Sequence, residues 1–143
     1  MVENIETKAI TDISTILKNY PELVDLPTLN IDTFQSLRQS IDDDLIFSDL
    51  VTIYLNSAEN LLEEIQLAFT NGDPNQFSLS AHSLKSTSAS IGAIRLSQLC
   101  KHLEKVGKTG NLSVSSDILD FLTKEYEQVI QAIKISVIEF MSE

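Results

Sequence analysis

The stretch DPNQFSLSAHSLKSTSASIGA, residues 73–93, predicts one helix, and helices of this kind define the fold expected for the whole chain. Asp73 followed by Pro74 is typical of a helix start, because aspartate caps the first turn and proline fits the first helical position. Gly92 marks a break at the other end. Between these residues, apolar and small side chains recur every three or four positions. The pattern predicts a helix that runs to about Ile91.

The two faces of this predicted helix differ in composition. With an advance of about 100° per residue, a core stripe forms around Leu84. It consists of Phe77, Ala81, Leu84, Ser88 and Ile91. His82 falls about 160° from Leu84 and is expected to face solvent. The residues beside it on this outer face are small or apolar: Ser78, Leu79, Ser86 and Ala89.

The surroundings of His82 favour a phosphorylatable histidine that is open to a docking protein. A neutral imidazole is a nucleophile, and small neighbours leave room for a partner to approach it. Lys85 lies three positions later and would favour a dianionic group on the ring. Residues 74–93 contain no Asp or Glu that would repel such a group. The pattern alone also fits an ordinary exposed histidine on a helix rich in serine and alanine.

Composition limits the classes of partner and the location. The chain has 143 residues, of which 43% are hydrophobic, and this suits one globular domain with its own core. Its net charge of −11 disfavours nucleic acid and anionic membrane surfaces as partners. We expect a cytoplasmic protein, because no signal peptide or membrane-spanning stretch is visible and Cys100 has no cysteine to pair with.

Helical periodicity recurs along the whole chain and predicts an all-α fold. A weaker helix is expected over 5–19 and a short one near 31–39, capped by Asn30. Four longer helices are predicted at about 44–71, 74–91, 93–106 and 115–141. Short connections between long helices favour an antiparallel up-down four-helix bundle, here with additional N-terminal helices. Residues 1–26 are interpreted as an N-terminal helix and linker, and residues 27–143 as the bundle.

The order of residues around His82 resembles the signature of histidine-containing phosphotransfer (HPt) domains. That signature is a histidine, any residue, an apolar residue and a lysine, followed by small residues and a glycine. The resemblance continues into IRLSQLCKHLEKVGKTG, residues 94–110, and upstream into LNIDTFQSLRQS, residues 29–40, and covers about 27–135. One departure is Ser86, because the family commonly has glycine directly after the lysine.

The resemblance implies a carrier that relays phosphoryl groups and is not itself an enzyme. His82 would accept a phosphoryl group from receiver-domain aspartates and donate it to them, with Lys85 beside it. The partners would be a response-regulator receiver domain, a hybrid histidine kinase, or both, with Ser78, Leu79, Ser86 and Ala89 as the docking face. No cofactor is expected in the chain itself, and Mg²⁺ is expected in the receiver.

Two alternatives to a free-standing carrier stay open at this point. The bundle could bind a receiver or kinase without accepting phosphate, or it could be the phosphoacceptor domain of a larger sensor kinase. A serine hydrolase is disfavoured, since no G-x-S-x-G motif is present and no acidic partner for His82 is evident. His102 is predicted to pack at the edge of the core, and Glu104 and Lys105 are predicted to be solvated.

Overall fold

The computed structural model describes residues 18, 20–114 and 116–142. These residues form a short 3-10 helix, Pro21–Leu23, and five α-helices: α1 (Ile31–Ile41), α2 (Asp44–Asn71), α3 (Pro74–Ile91), α4 (Ile94–Lys108) and α5 (Ser116–Met141). All regular structure in this part of the chain is helical, which confirms the all-α prediction. The helix predicted over 5–19 lies outside the described residues apart from Lys18.

Capping side chains and glycines determine where the helices begin and end. The side chains of Asn30, Asp43 and Asp73 accept hydrogen bonds from amides in the first turns of α1, α2 and α3. Gly72 ends α2 with a φ of 62°, and Gly92 ends α3 with a φ of 96°. These left-handed conformations suit glycine, so both helices stop where the sequence predicts.

Hydrogen bonds between neighbouring helices show that they run antiparallel. Tyr54 of α2 bonds to Ser88 of α3 at 2.8 Å. Further along α2, Glu64 accepts a hydrogen bond of 2.9 Å from Ser80, which lies earlier in α3. In the same way, residues later in α3 bond to residues earlier in α4, and residues later in α2 bond to residues earlier in α5. Helices α2–α5 thus form the predicted up-down bundle.

The core of the bundle is apolar and matches the predicted stripe of α3. All five residues of that stripe are buried. In α2, the buried residues include Val51, Ala58 and Leu62. Helix α1 packs at one end of the bundle, where the rings of Phe34, Phe47 and Phe140 contact one another. Among the described residues, no helix is long and apolar enough to cross a membrane.

The segment before α1 is bound to the start of α4. The Arg95 guanidinium donates hydrogen bonds to the carbonyl oxygens of Leu23 and Leu26 at 3.1 and 2.6 Å. The backbone N–H of Asn30 donates a hydrogen bond of 2.7 Å to the backbone carbonyl oxygen of Gly92. A Cβ atom on Gly92 would lie 2.9 Å from the Asn30 carbonyl oxygen, so the turn between α3 and α4 has no room for a side chain there.

Candidate functional site

His82 lies on the outer face of α3, as the periodicity predicts. Its side chain is 57% exposed, whereas Leu84 is fully buried. The side chains of Leu79, Ser86 and Ala89 are exposed around it. Ser78 is half-buried, because it faces the end of α4. The structure therefore brings the predicted histidine and its small neighbours onto one accessible surface.

The acidic partner of His82 comes from α4. His82 Nδ1 lies 2.8 Å from Glu104 Oε1, and Lys85 Nζ lies 2.6 Å from Glu104 Oε2. The Glu104 side chain is only 7% exposed. The expectation that Glu104 is a solvated surface residue was wrong, and so was the inference that no carboxylate lies near His82. That inference considered α3 alone, and the carboxylate reaches the histidine from the neighbouring helix.

Small residues on α4 explain why Glu104 is buried. Ser97, Cys100 and Gly107 lie on the same side of α4 as Glu104, at spacings of three, four and three residues, and all are buried. A Cβ atom on Gly107 would lie 2.7 Å from the Ser78 Cβ, so the two helices approach closely at this point. This small-residue stripe with one embedded glutamate is the sequence signal that could have identified Glu104.

Cations keep Glu104 ionised. The hydrogen bond from Lys85 is the largest cause that lowers its pKa, and burial opposes that effect. Hydrogen bonds from Lys108 and His82 lower it further, and the resulting pKa is about 2. Lys108 Nζ lies 3.1 Å from Glu104 Oε1. At neutral pH, His82 therefore faces a carboxylate anion.

This contact determines which ring nitrogen of neutral His82 carries the proton. A carboxylate can only accept a hydrogen bond, so Nδ1 is the donor to Glu104. Nε2 then holds an unprotonated lone pair. Within the described residues no group forms a hydrogen bond with Nε2, and the ring is largely exposed. The geometry presents a nucleophilic nitrogen to an approaching molecule.

In the described part of the chain, the other side chains that could act chemically, Cys100 and His102, have structural roles. The Cys100 thiol is fully buried, and this burial raises its pKa, so it packs as an apolar side chain. The His102 ring contacts the Tyr20 ring at a tilted angle and pairs with Glu22, as its predicted position at the edge of the core suggests. No cluster of three or more His, Cys, Asp or Glu side chains in the described ranges could hold a metal ion.

Comparison with known proteins assigns the family. The family model of the Hpt domain matches residues 49–132, which is more than half of the chain. The chain therefore belongs to the Hpt domain family, and its all-helical bundle agrees with that assignment. Membership of this family supports a role as a phosphocarrier in two-component signalling.

The known structures that resemble the chain include the following two. Histidine-containing phosphotransfer protein B (HptB) from Pseudomonas aeruginosa PAO1 is 26% identical, with a TM-score of 0.70. That match covers 76% of this chain and 92% of HptB. A rice protein named for histidine-containing phosphotransfer is 17% identical with a TM-score of 0.54, covers 92% of this chain and 96% of its own, and shares the fold. No curated protein sequence matches the chain.

Proposed function

We propose that the chain is a phosphorelay carrier in which His82 accepts a phosphoryl group from receiver-domain aspartates and donates it to them. The observation that carries this proposal is the 2.8 Å contact between His82 Nδ1 and Glu104 Oε1. It places the free lone pair on Nε2, on the exposed face of α3. A histidine without such a partner would exchange its proton between both nitrogens, and only part of its population would offer this lone pair.

The transfer step follows from the position of the proton. The Nε2 lone pair attacks the phosphorus of an aspartyl phosphate, so an N–P bond forms while the P–O bond to the aspartate breaks. The aspartate leaves as a carboxylate with the bonding electron pair. Nδ1 keeps its proton, and the phosphorylated ring therefore carries a positive charge. The Glu104 carboxylate stabilises that charge directly. Donation to another receiver is the reverse reaction.

Lys85 is suited to neutralise charge on the phosphoryl group. Its side chain is 28% exposed and its ammonium contacts Glu104 Oε2 at 2.6 Å. An ammonium has three N–H donors, so others can bond to phosphoryl oxygens while one stays on Glu104. Phosphoryl transfer depends mainly on positioning and charge neutralisation. In this proposal, the receiver supplies Mg²⁺ and most of the catalysis, and the chain supplies the nucleophile.

The docking face in this proposal surrounds His82 on α3. Leu79, Ser86 and Ala89 are exposed there, and Leu79 offers the largest apolar surface, with 64% of its area exposed. Small side chains at the other two positions leave space for a receiver or a hybrid histidine kinase to bring its aspartate close to Nε2. Ser86 occupies the position where the family commonly has glycine, and its small side chain projects little from this surface.

The decisive experiment compares the two histidines of the chain. Purified wild type, His82→Gln and His102→Gln proteins are incubated with phosphorylated receivers and Mg²⁺, and acid-labile phosphohistidine is quantified. We expect wild type and His102→Gln to be labelled and His82→Gln to remain unlabelled, because the Nε2 of His82 is exposed and unbonded among the described residues, whereas the Nε2 of His102 pairs with Glu22.

Two outcomes would overturn this proposal. One is a wild-type protein that stays unlabelled with a broad panel of receivers, and the other is labelling of His82→Gln at the wild-type level. Receiver binding that is unaffected by His82→Ala, without any transfer, would instead identify an interaction module that carries no phosphate.

A further inference from the structure

Lys108 lies at the candidate site but has no part in the transfer step described above. Its ammonium contacts Glu104 Oε1 at 3.1 Å, and the same oxygen contacts His82 Nδ1 at 2.8 Å. The two nitrogens therefore lie no further apart than the sum of these distances. Lys108 follows Glu104 by one helical turn, and its side chain is 67% exposed, so it can move without disturbing the core.

The charges at this site do not balance while His82 is unphosphorylated. Lys85 and Lys108 bring two positive charges to the single negative charge of Glu104. Lys85 already makes the largest contribution to keeping Glu104 ionised, so a second lysine is not needed for that purpose. A local excess of positive charge in a chain with a net charge of −11 is suited to an incoming anion.

We propose that Lys108 is a second cation that contacts the phosphoryl group on His82, opposite Lys85. This inference rests on the proposed carrier function. A phosphoryl group brings about two negative charges, and it would stand on Nε2, across the ring from the nitrogen that faces Glu104. Lys85 approaches this group from α3 and Lys108 from α4. The contact stabilises the phosphorylated form and shifts the transfer equilibrium from the receiver towards the carrier.

The test measures that equilibrium for Lys108→Gln, Lys108→Arg and Lys105→Gln. Lys105 is an exposed lysine on the same helix, without an ion pair in the described part of the chain, so its substitution removes the same charge. We expect Lys108→Gln to lower the equilibrium constant for transfer from a phosphorylated receiver by about two- to fivefold, the range for an exposed charge pair. Lys108→Arg restores it, and Lys105→Gln leaves it close to wild type.

Ionic strength separates this electrostatic role from a structural one. The difference between wild type and Lys108→Gln should shrink as salt is added, because exposed charges are screened. A wild-type equilibrium constant for Lys108→Gln at low salt, or an equal loss in Lys105→Gln, would overturn the inference. So would a loss that persists unchanged at high salt.

The same experiment distinguishes failure of this inference from failure of the carrier proposal. Wild-type protein that takes no phosphoryl group on His82 contradicts the carrier function itself. Wild-type protein that is labelled, together with Lys108→Gln that behaves identically at low salt, contradicts only the role of Lys108. Thermal unfolding of each variant confirms that the equilibrium is compared between folded proteins.

Discussion

The interface between α3 and α4 is closed, whereas the interface between α2 and α5 opens into a groove at one end. At the first, a single added carbon on Gly107 would lie 2.7 Å from Ser78. At the second, the first half of α2 and the last turns of α5 line a half-open groove with a volume of about 650 Å³. Its lining is mainly apolar and includes Leu45, Val51, Leu55, Val137, Ile138, Phe140 and Met141.

The difference shows what the candidate site requires from the fold. His82 and Glu104 belong to different helices, and their hydrogen bond survives only if those helices keep a fixed separation. Small residues at the α3–α4 interface provide that separation, because backbones and short side chains meet there without long, mobile ones between them. The α2–α5 groove contains none of the groups that contact His82, so it tolerates looser packing.

The largest expected effect comes from widening the closed interface. Gly107→Val should lower the free energy of unfolding by about 2–3 kcal/mol, because the new side chain collides with the backbone of α3. It should also slow phosphotransfer strongly, since Glu104 moves away from His82. Denaturant unfolding and the rate of His82 labelling measure the two effects. Wild-type rates in a Gly107→Val protein that is fully folded would show that the helix separation is unimportant.

An intermediate effect is expected from removing the charge at this interface. Glu104→Gln can still accept a hydrogen bond from His82 but no longer pairs with the ammonium groups of Lys85 and Lys108. We expect a loss of about 1–2 kcal/mol in the free energy of unfolding at neutral pH. We also expect slower phosphotransfer, because the amide cannot stabilise the positive charge of the phosphorylated ring.

The stability difference between Glu104→Gln and wild type should depend on pH. The pKa of Glu104 in the folded state is about 2, below its ordinary value of 4.5. Its ionic contribution is therefore complete above about pH 4.5 and is lost as the pH falls towards 2. Denaturant unfolding of both proteins across this range should show the gap closing. A gap that stays constant down to pH 2 would contradict the ion-pair interpretation.

The smallest effect is expected at the open interface. Ser48 is exposed and lines the α2–α5 groove. Ser48→Val introduces the same side chain as Gly107→Val, but into free space, and should change the free energy of unfolding by no more than about 0.5 kcal/mol. Phosphotransfer should remain at the wild-type rate. A Ser48→Val protein as destabilised as Gly107→Val would remove the contrast between the two interfaces.

The sequence predicts those parts of the structure that depend on local physical chemistry. Asn30 and Asp73 identify two helix starts because capping involves only the next few residues. The exposure of His82 follows from the angle between it and Leu84 on one helix. The small-residue stripe around Glu104 indicates that this face of α4 is buried, but the contact with His82 could not be derived in this way, because it depends on which helix lies against that face and how closely it approaches. Helix periodicity describes one element at a time and contains no such distance.

Gly92 has a consequence that reaches beyond the helix that it ends. Its left-handed φ requires glycine, and so does its packing, because an added Cβ atom would lie only 2.9 Å from the Asn30 carbonyl oxygen. Asn30 in turn caps α1, so one position joins the end of α3 to the start of the first described α-helix. A substitution at Gly92 would therefore displace two helices at once, and the histidine-bearing helix cannot change its end point independently of α1.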